Sequence, residues 1–264
     1  SNNKLRASTH RRTLHILISS GPTRERIDAV RFLSNYSTGC MGACVAQEAR
    51  RRGHRVTLVS GPTEIAPPPH TRVIRVESAG QMQAALRRAM PRADVLIMAA
   101  AVSDFRPVNM SSAKLARQGR RSLQLEATPD IVANLPRRRG QLVVGFALEA
   151  ARVRERAARK LREKRLDLIV GQRLSAKGGS ASPARGERGP ERAGGNGTGA
   201  PFGRRRVEAV VLHSSGRVKA LGTVSKPVLA RALLDEIEQL WYGQKRHQTR
   251  RSHGTTGLAE GSRL

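Results

Sequence analysis

Short apolar runs alternate with segments whose apolar residues recur every three or four positions, from Leu14 to about Leu240. Leu14–Ser20 reads as a first strand. A long polar loop, Gly21 to Gly42, then opens a helix from about Cys40 to Arg52, with Met41, Cys44, Val45 and Ala49 inward and Gly53 as its stop. His54–Ser60 is a second strand, Pro67–Pro69 an extended connector and Val73–Val76 a third strand. Ser78 can cap a helix over Ala79–Ala89, with Met82, Leu86 and Ala89 inward. Asp94–Ala101 is nearly continuously apolar, as a central parallel strand buried on both faces requires. Val108–Ser122 reads as a mobile flap, Leu123–Glu126 as a short strand, and Thr128-Pro129-Asp130 as a helix start. Leu142–Phe146 and Leu166–Val170 are strands flanking a basic helix, Arg152–Arg165. Arg206–Leu212 and Val218–Leu221 form a hairpin around Ser214-Ser215-Gly216. Ser225 opens a last helix with Val228, Leu229, Ala232, Leu233, Ile237 and Leu240 inward, and Trp241 and Met82 read as packing residues. The alternation predicts an α/β, Rossmann-like, doubly wound and mostly parallel sheet, joined late by an antiparallel hairpin.

Composition changes this picture mainly at the margins. The chain has 264 residues, and its apolar deficit is concentrated in three places. Residues 1–12 read as a disordered lead-in, 175–203 as a disordered Gly/Arg-rich insertion and 243–264 as a disordered basic tail, around one domain spanning 13–242. The net charge of +29 invites a nucleic-acid reading, but arginine is spread throughout and aromatics are only 3%, so stacking platforms are lacking and nucleic acid is not expected as a partner. The two cysteines, Cys40 and Cys44, and the lack of a signal peptide imply a reducing, cytoplasmic setting; no run approaches the roughly 20 apolar residues of a membrane span. Two cysteines with no nearby histidine make no zinc site, and the seven histidines show no pairing pattern.

Candidate chemistry collects at the carboxyl ends of the strands, where open α/β sheets bind ligands. The loop after the first strand is far longer than the usual connection of about 2–6 residues. Gly21, Gly39 and Gly42 permit close backbone approach, and Arg24, Arg31, Asn35, Ser37 and Thr38 supply donors suited to anions and carbonyls. By spacing alone, Asn35 and Ser37 serve equally well as turn residues, and Arg31 as a partner for Asp28. Neither a dinucleotide glycine fingerprint nor a P-loop is present. After the central strand come Asp104, Arg106 and Lys114; an acid there can hold magnesium, and a flap lysine can close over negative charge, although an isolated loop lysine is most simply solvated. Lys160 and Lys164, one turn apart, can grip a triphosphate or form a solvated basic face.

Several stretches, in order, carry a resemblance: GPTRERIDAVRFLSNYSTGCMG, VTLVSGPT, MAAAVSDFRP, AKLARQ, TPDIVANL, VVGFALE and KLREKRLDLIV. Together they resemble phosphopantothenate–cysteine ligase, in most bacteria the C-terminal half of a bifunctional coenzyme A biosynthesis protein. The resemblance is strong over Leu14–Ile169 and weaker over Arg206–Leu240. It implies CTP-dependent ligation of 4'-phosphopantothenate to L-cysteine through an acyl-cytidylate, with Mg2+ on the triphosphate, no flavin and a homodimer. It also implies roles. Asn35, with Arg31 before it, would contact the intermediate; Ala99, Ala100, Ala101 and Asp104 would form the cytidine turn; Lys114 would complete the second step. Pro129, Asp130, Ile131, Phe146, Lys160 and Lys164 would make the remaining nucleotide contacts. The chain departs from the pattern at Cys40, where the family has lysine, at Ala116 and Arg117, where further flap lysines are usual, and at Gly171-Gln172-Arg173, in place of an Asn-Asp pair. The fused decarboxylase half is not in this sequence, so no decarboxylase activity is expected of it, and a separate decarboxylase is left open as a partner. The alternative is a catalytically impaired nucleotide-binding relative with nucleic-acid contacts through basic tails.

Overall fold

The computed structural model describes residues 12–117, 119–173 and 206–253, with 244–253 as backbone only. The expected lead-in (but for Arg12), the Gly/Arg-rich insertion and the last part of the tail therefore lie outside the described residues. Eight strands form the main sheet: β1 (His15–Ser20), β4 (Arg55–Ser60), β5 (Arg72–Arg75), β6 (Val95–Met98), β9 (Leu142–Glu149), β10 (Leu168–Arg173), β11 (Arg206–His213) and β12 (Val218–Ser225). Their spatial order is β12-β11-β10-β9-β6-β1-β4-β5. The six from β10 to β5 are parallel, and the β11–β12 hairpin adds on antiparallel. Two small ribbons stand beside the sheet, β2 (Arg24–Arg26) with β3 (Phe32–Ser34) and β7 (Phe105–Pro107) with β8 (Leu125–Ala127). The expected doubly wound fold with its late hairpin is what the chain forms.

Strand side chains alternate between faces, and the core divides accordingly. Ile16, Ile18, Val95, Ile97 and Val144 meet α1 (Cys40–Arg51) and α4 (Lys226–His253). Leu17, Val59, Leu96, Val143 and Ile169 meet α2 (Ala79–Ala89) and α3 (Val153–Glu163). Each fully buried Leu or Ile contributes about 1.5–3 kcal/mol, and both faces of the central strands are filled in this way. The α1–α4 contact also has a polar seam. Arg52 reaches Glu48 and Asp235, each at 2.8 Å. The Leu14 amide donates to His54 Nδ1 at 3.4 Å, which leaves the ring proton on Nε2, 3.1 Å from Glu238.

Several expectations need correction. Thr128-Pro129-Asp130 starts only a turn: Asn134 N–H bonds back to Asp130 and Ile131, and Pro136 ends the segment before a helix can grow. The presumed disordered tail begins too early, because α4 continues through Gly243 to His253; no proline interrupts it, and Gly254 follows. Val228 is 44% exposed, since the buried face runs through Leu229, Leu233, Ile237 and Trp241, with Ala230 and Leu234 beside it. The long polar loop after β1 contains the β2–β3 ribbon. Trp241 and Met82 are buried packing residues, as expected. No helix among the described residues is long and apolar enough to cross a membrane.

Candidate functional site

Strand order reverses at β1, with β4 on one side and β6 on the other, so a crevice opens between the ends of β1 and β6. The loop after β1 fills one wall of it. Pro22 bridges to Ala101, the Ala101 amide donates to the Gly21 carbonyl at 3.0 Å, and the Thr23 amide donates back to the Ala101 carbonyl at 3.2 Å. The Asn35 side-chain amide donates to that same carbonyl at 3.0 Å. Thr23 Oγ1 accepts from the Ser103 amide at 2.9 Å. Loop and strand end are thus one unit, with exposed Asn35 at its rim.

Close backbone approach makes this unit possible. Gly21 and Gly39 have φ of +77° and +79°, in the left-handed region that favours glycine. A Cβ on Gly42 would lie 2.3 Å from Ser20 Oγ, and one on Gly61 only 1.9 Å from the Pro22 carbonyl oxygen. Gly39 precedes α1, accepts from Ser20 Oγ at 3.0 Å, and has its own amide bonded to Ser37 Oγ at 3.3 Å. The Thr38 carbonyl accepts from Thr63 Oγ1 at 2.7 Å. Gly21, Ser37, Thr38, Gly39 and Gly42 therefore shape the loop and seat it on β1, β4 and α1.

Arg31 and the flap segment that bears Lys114 are tied together between the two ribbons. Buried Asp28 accepts from the Val30 and Arg31 amides at 2.9 and 2.8 Å, from Arg31 Nε at 2.8 Å and from the flap amide of Leu115 at 3.2 Å. Arg31 Nη2 donates in turn to the Leu115 carbonyl at 2.8 Å. The hydrogen bond from the Arg31 guanidinium outweighs burial and holds the Asp28 carboxyl well below the usual carboxylate range. Beside this pair lies an open recess of about 530 Å³, lined by Val30, Arg31, Lys114, Leu115, Ala116 and Arg117. Arg24 is turned elsewhere, its guanidinium 4.3 Å from the centroid of the Phe32 ring.

The other wall continues from β6. The Asp104 carbonyl accepts from the Thr128 amide at 2.9 Å, and Thr128 Oγ1 donates to the Ser103 carbonyl at 2.6 Å. This fastens the Pro129-Asp130-Ile131 turn beside the chain leaving β6, with Ile131 in the core. Asp130 pairs with Lys164 at 3.0 Å, and Glu149 at the end of β9 pairs with Lys160 at 3.3 Å and Arg156 at 3.1 Å. Burial pushes both carboxyls up, but the cations beside them more than offset it, so both lie below their ordinary values. Phe146 packs on the α1–α4 side of β9, the face opposite these lysines. Ala99 and Ala100 straddle the two cores, and the Ala100 amide is held by Ser19 Oγ at 3.2 Å.

Most of the residues expected at the site thus fall into two groups, on either side of Ala101–Asp104, while Phe146 stands on the other face of β9. Three participants escaped the sequence reading. Asp28 was weighed only as a partner of Arg31; Glu149 closes the VVGFALE stretch without having been singled out; Gly61 ends β4 as an apparent strand terminator. Leu115 lies 87 residues from Asp28 and Pro22 lies 39 from Gly61, where spacing is silent, and the Arg156 and Lys160 partners of Glu149 sit on the next element. Arg106 pairs with Glu126 at 2.7 Å across the β7–β8 ribbon. Among the described residues no cluster of three or more His, Cys, Asp or Glu side chains could hold a metal ion. The exposed Asp104 fits a metal only as a single ligand. Cys40 and Cys44 are free, buried thiols with sulfurs 4.0 Å apart, and burial, then Cys40 beside it, pushes the Cys44 thiol up to about 12.

Residues 12–184 match the profile of the DNA/pantothenate metabolism flavoprotein C-terminal domain. A cysteine/cysteine sulfinic acid decarboxylase from an unknown prokaryotic organism is 44% identical over 159 residues, 59% of this chain and 44% of that protein. The coenzyme A biosynthesis bifunctional protein CoaBC of Bacillus subtilis (strain 168) is 41% identical over 167 residues, 62% of this chain and 41% of its own length. The chain spans less than half the length of either relative. The crystal structure of the C-terminal domain of a coenzyme A biosynthesis bifunctional protein CoaBC superposes with a TM-score of 0.67 at 33% identity, covering 87% of this chain and 96% of that domain. With two thirds of the sequence in the profile and nearly all of a solved domain matched, the chain belongs to the DNA/pantothenate metabolism flavoprotein C-terminal domain family.

Proposed function

We propose that the chain is a phosphopantothenate–cysteine ligase acting in coenzyme A biosynthesis, activating the carboxylate of 4'-phosphopantothenate with CTP and passing the acyl group from CMP to the amine of L-cysteine. The observation that carries this reading is Asn35 held on the Ala101 carbonyl at the switch-point crevice, in a family member.

Both anionic substrates repel each other, so the residues' main work is orientation and charge compensation. Lys160 and Lys164, each already beside a carboxylate, would exchange that partner for the triphosphate. Asn35, anchored on the Ala101 carbonyl, would orient the acyl carbonyl of the intermediate. Lys114 on the flap would neutralise charge as CMP leaves. Mg2+ would reach the site on the triphosphate, with Asp104 as the protein group able to hold it, and would lower the charge at the α-phosphate. Flavin has no part in this reaction. The two free thiols suit a reducing cytoplasm. A homodimer is supported by surface chemistry: among the described residues, eight of the ten exposed large apolar side chains belong to loop one or to residues 105–125, among them Phe32, Tyr36, Phe105 and Met110.

A second reading, a nucleotide-binding relative without turnover, rests on Cys40, a buried thiol where the family pattern has a cation. Purified protein is expected to release pyrophosphate only when CTP and 4'-phosphopantothenate are both present, and CMP only once cysteine is added. Folded protein that binds CTP without releasing pyrophosphate would establish the second reading instead. Parallel reactions with ATP report base choice.

A further inference from the structure

The Asp28 side chain is fully buried, yet only two of its four donors belong to its own turn's backbone. The others are the Arg31 guanidinium and an amide 87 residues away. Leu115 has both backbone groups taken by one ion pair: its N–H donates to Asp28, and its C=O accepts from Arg31. That is the two-point hold a strand neighbour would give, supplied here by side chains. A further bond, from the Ser111 amide to the Ile27 carbonyl at 3.1 Å, fastens the start of the same segment. Lys114 is the residue just before the clamped one and is exposed into the recess.

We infer that Asp28 is a positioning residue: acting through Arg31 and the Leu115 backbone, it latches the flap onto the β2–β3 turn and so fixes where Lys114 stands. The inference rests on the ligase reading only for what Lys114 does, not for the latch itself. An unpaired buried carboxylate is strongly disfavoured, so the anion selects the arrangement in which both donors are in place. Arg31 keeps about half its side chain exposed, so the same guanidinium that holds the flap also faces the recess.

Asp28→Asn keeps the shape but removes the charge that anchors Arg31. In hydrogen–deuterium exchange without substrate, amides 112–117 are expected to exchange about tenfold faster, the loss of roughly one charge-assisted hydrogen bond, while β1 and β9 keep their protection. In turnover, the cysteine step should slow to the level of Lys114→Gln with the KM for nucleotide unchanged, and adding Asp28→Asn to Lys114→Gln should slow it no further. Asp28→Glu should restore part of both readouts. Should Asp28→Asn not fold, Leu115→Pro, which removes the flap N–H and leaves the ion pair, is expected to loosen 112–117 in the same way. Unchanged exchange in the folded variant overturns the latch. Faster exchange with a normal cysteine step overturns the positioning of Lys114. Exchange is read without substrate, so an inactive wild-type enzyme would count against the ligase reading and leave the latch result intact.

Discussion

At the scale of single residues, the site depends on atoms that are missing as much as on those present. Gly61 has room for no side chain, because the Pro22 carbonyl occupies the place a Cβ would take. Gly61→Ala must push loop one off the end of β4, and both parts are backbone that cannot swing aside. A destabilisation of about 1–3 kcal/mol or more is expected, read from chemical denaturation, with a loss of nucleotide binding larger than the loss of stability explains; unchanged stability would mean that the loop is not seated there. Nothing in the sequence distinguishes this glycine from an ordinary strand end. Asn35, by contrast, was visible as a donor in the long loop after the first strand, readable equally as a turn residue, although its partner, the Ala101 carbonyl, was not. Asp28 was legible as half of an ion pair with Arg31, and the flap that completes it was not, since local spacing says nothing of an amide 87 positions away.

At the scale of elements, periodicity located the helices and central strands because burial itself imposes the period. Cys40–Arg51 and Ala79–Ala89 agree with expectation to within a residue, and Ser78 caps the latter by accepting from the Gln81 amide at 3.2 Å. The three-residue strands of the two ribbons were harder to read: only β8 was expected, two residues early, because so short a segment has no period. Polar seams between helices were also hidden, as with His54 and Glu238, 184 residues apart. The α1–α4 seam has a measurable pH signature. The hydrogen bond from Arg51, then that from Arg52, lowers the Glu48 carboxyl from 4.5 to about 2. Its folded value is depressed, so its stabilisation is present above about 4.5 and is lost as pH falls toward 2. Glu48→Gln is expected to lower stability at pH 7 and to flatten the decline between those values. A variant whose acid limb parallels that of the parent would remove Glu48 from the acid response.

At the scale of the whole molecule, charge is dispersed and exposed apolar surface is concentrated. The +29 balance is spread over helices and loops, whereas, among the described residues, most of the exposed large apolar side chains lie in loop one and in residues 105–125. If that apolar face joins two copies, sedimentation should give twice the 28.8 kDa chain mass. Met110→Asp, placing a charge where the side chain is 70% exposed, should shift the protein toward monomer without altering its thermal unfolding as a monomer. A monomeric parent chain would leave that face without a second copy as its cover. The tie between loop one and Ala101 has a further consequence, for the order in which the chain folds. The Ala101 carbonyl meets Thr23 and Asn35 only after β6 has docked beside β1, across some 66 to 78 residues of intervening chain. Such distant closures follow sheet formation rather than lead it. The tie can therefore form only on a β1–β6 pair already in place, so in a newly made chain this wall of the crevice waits on the centre of the sheet.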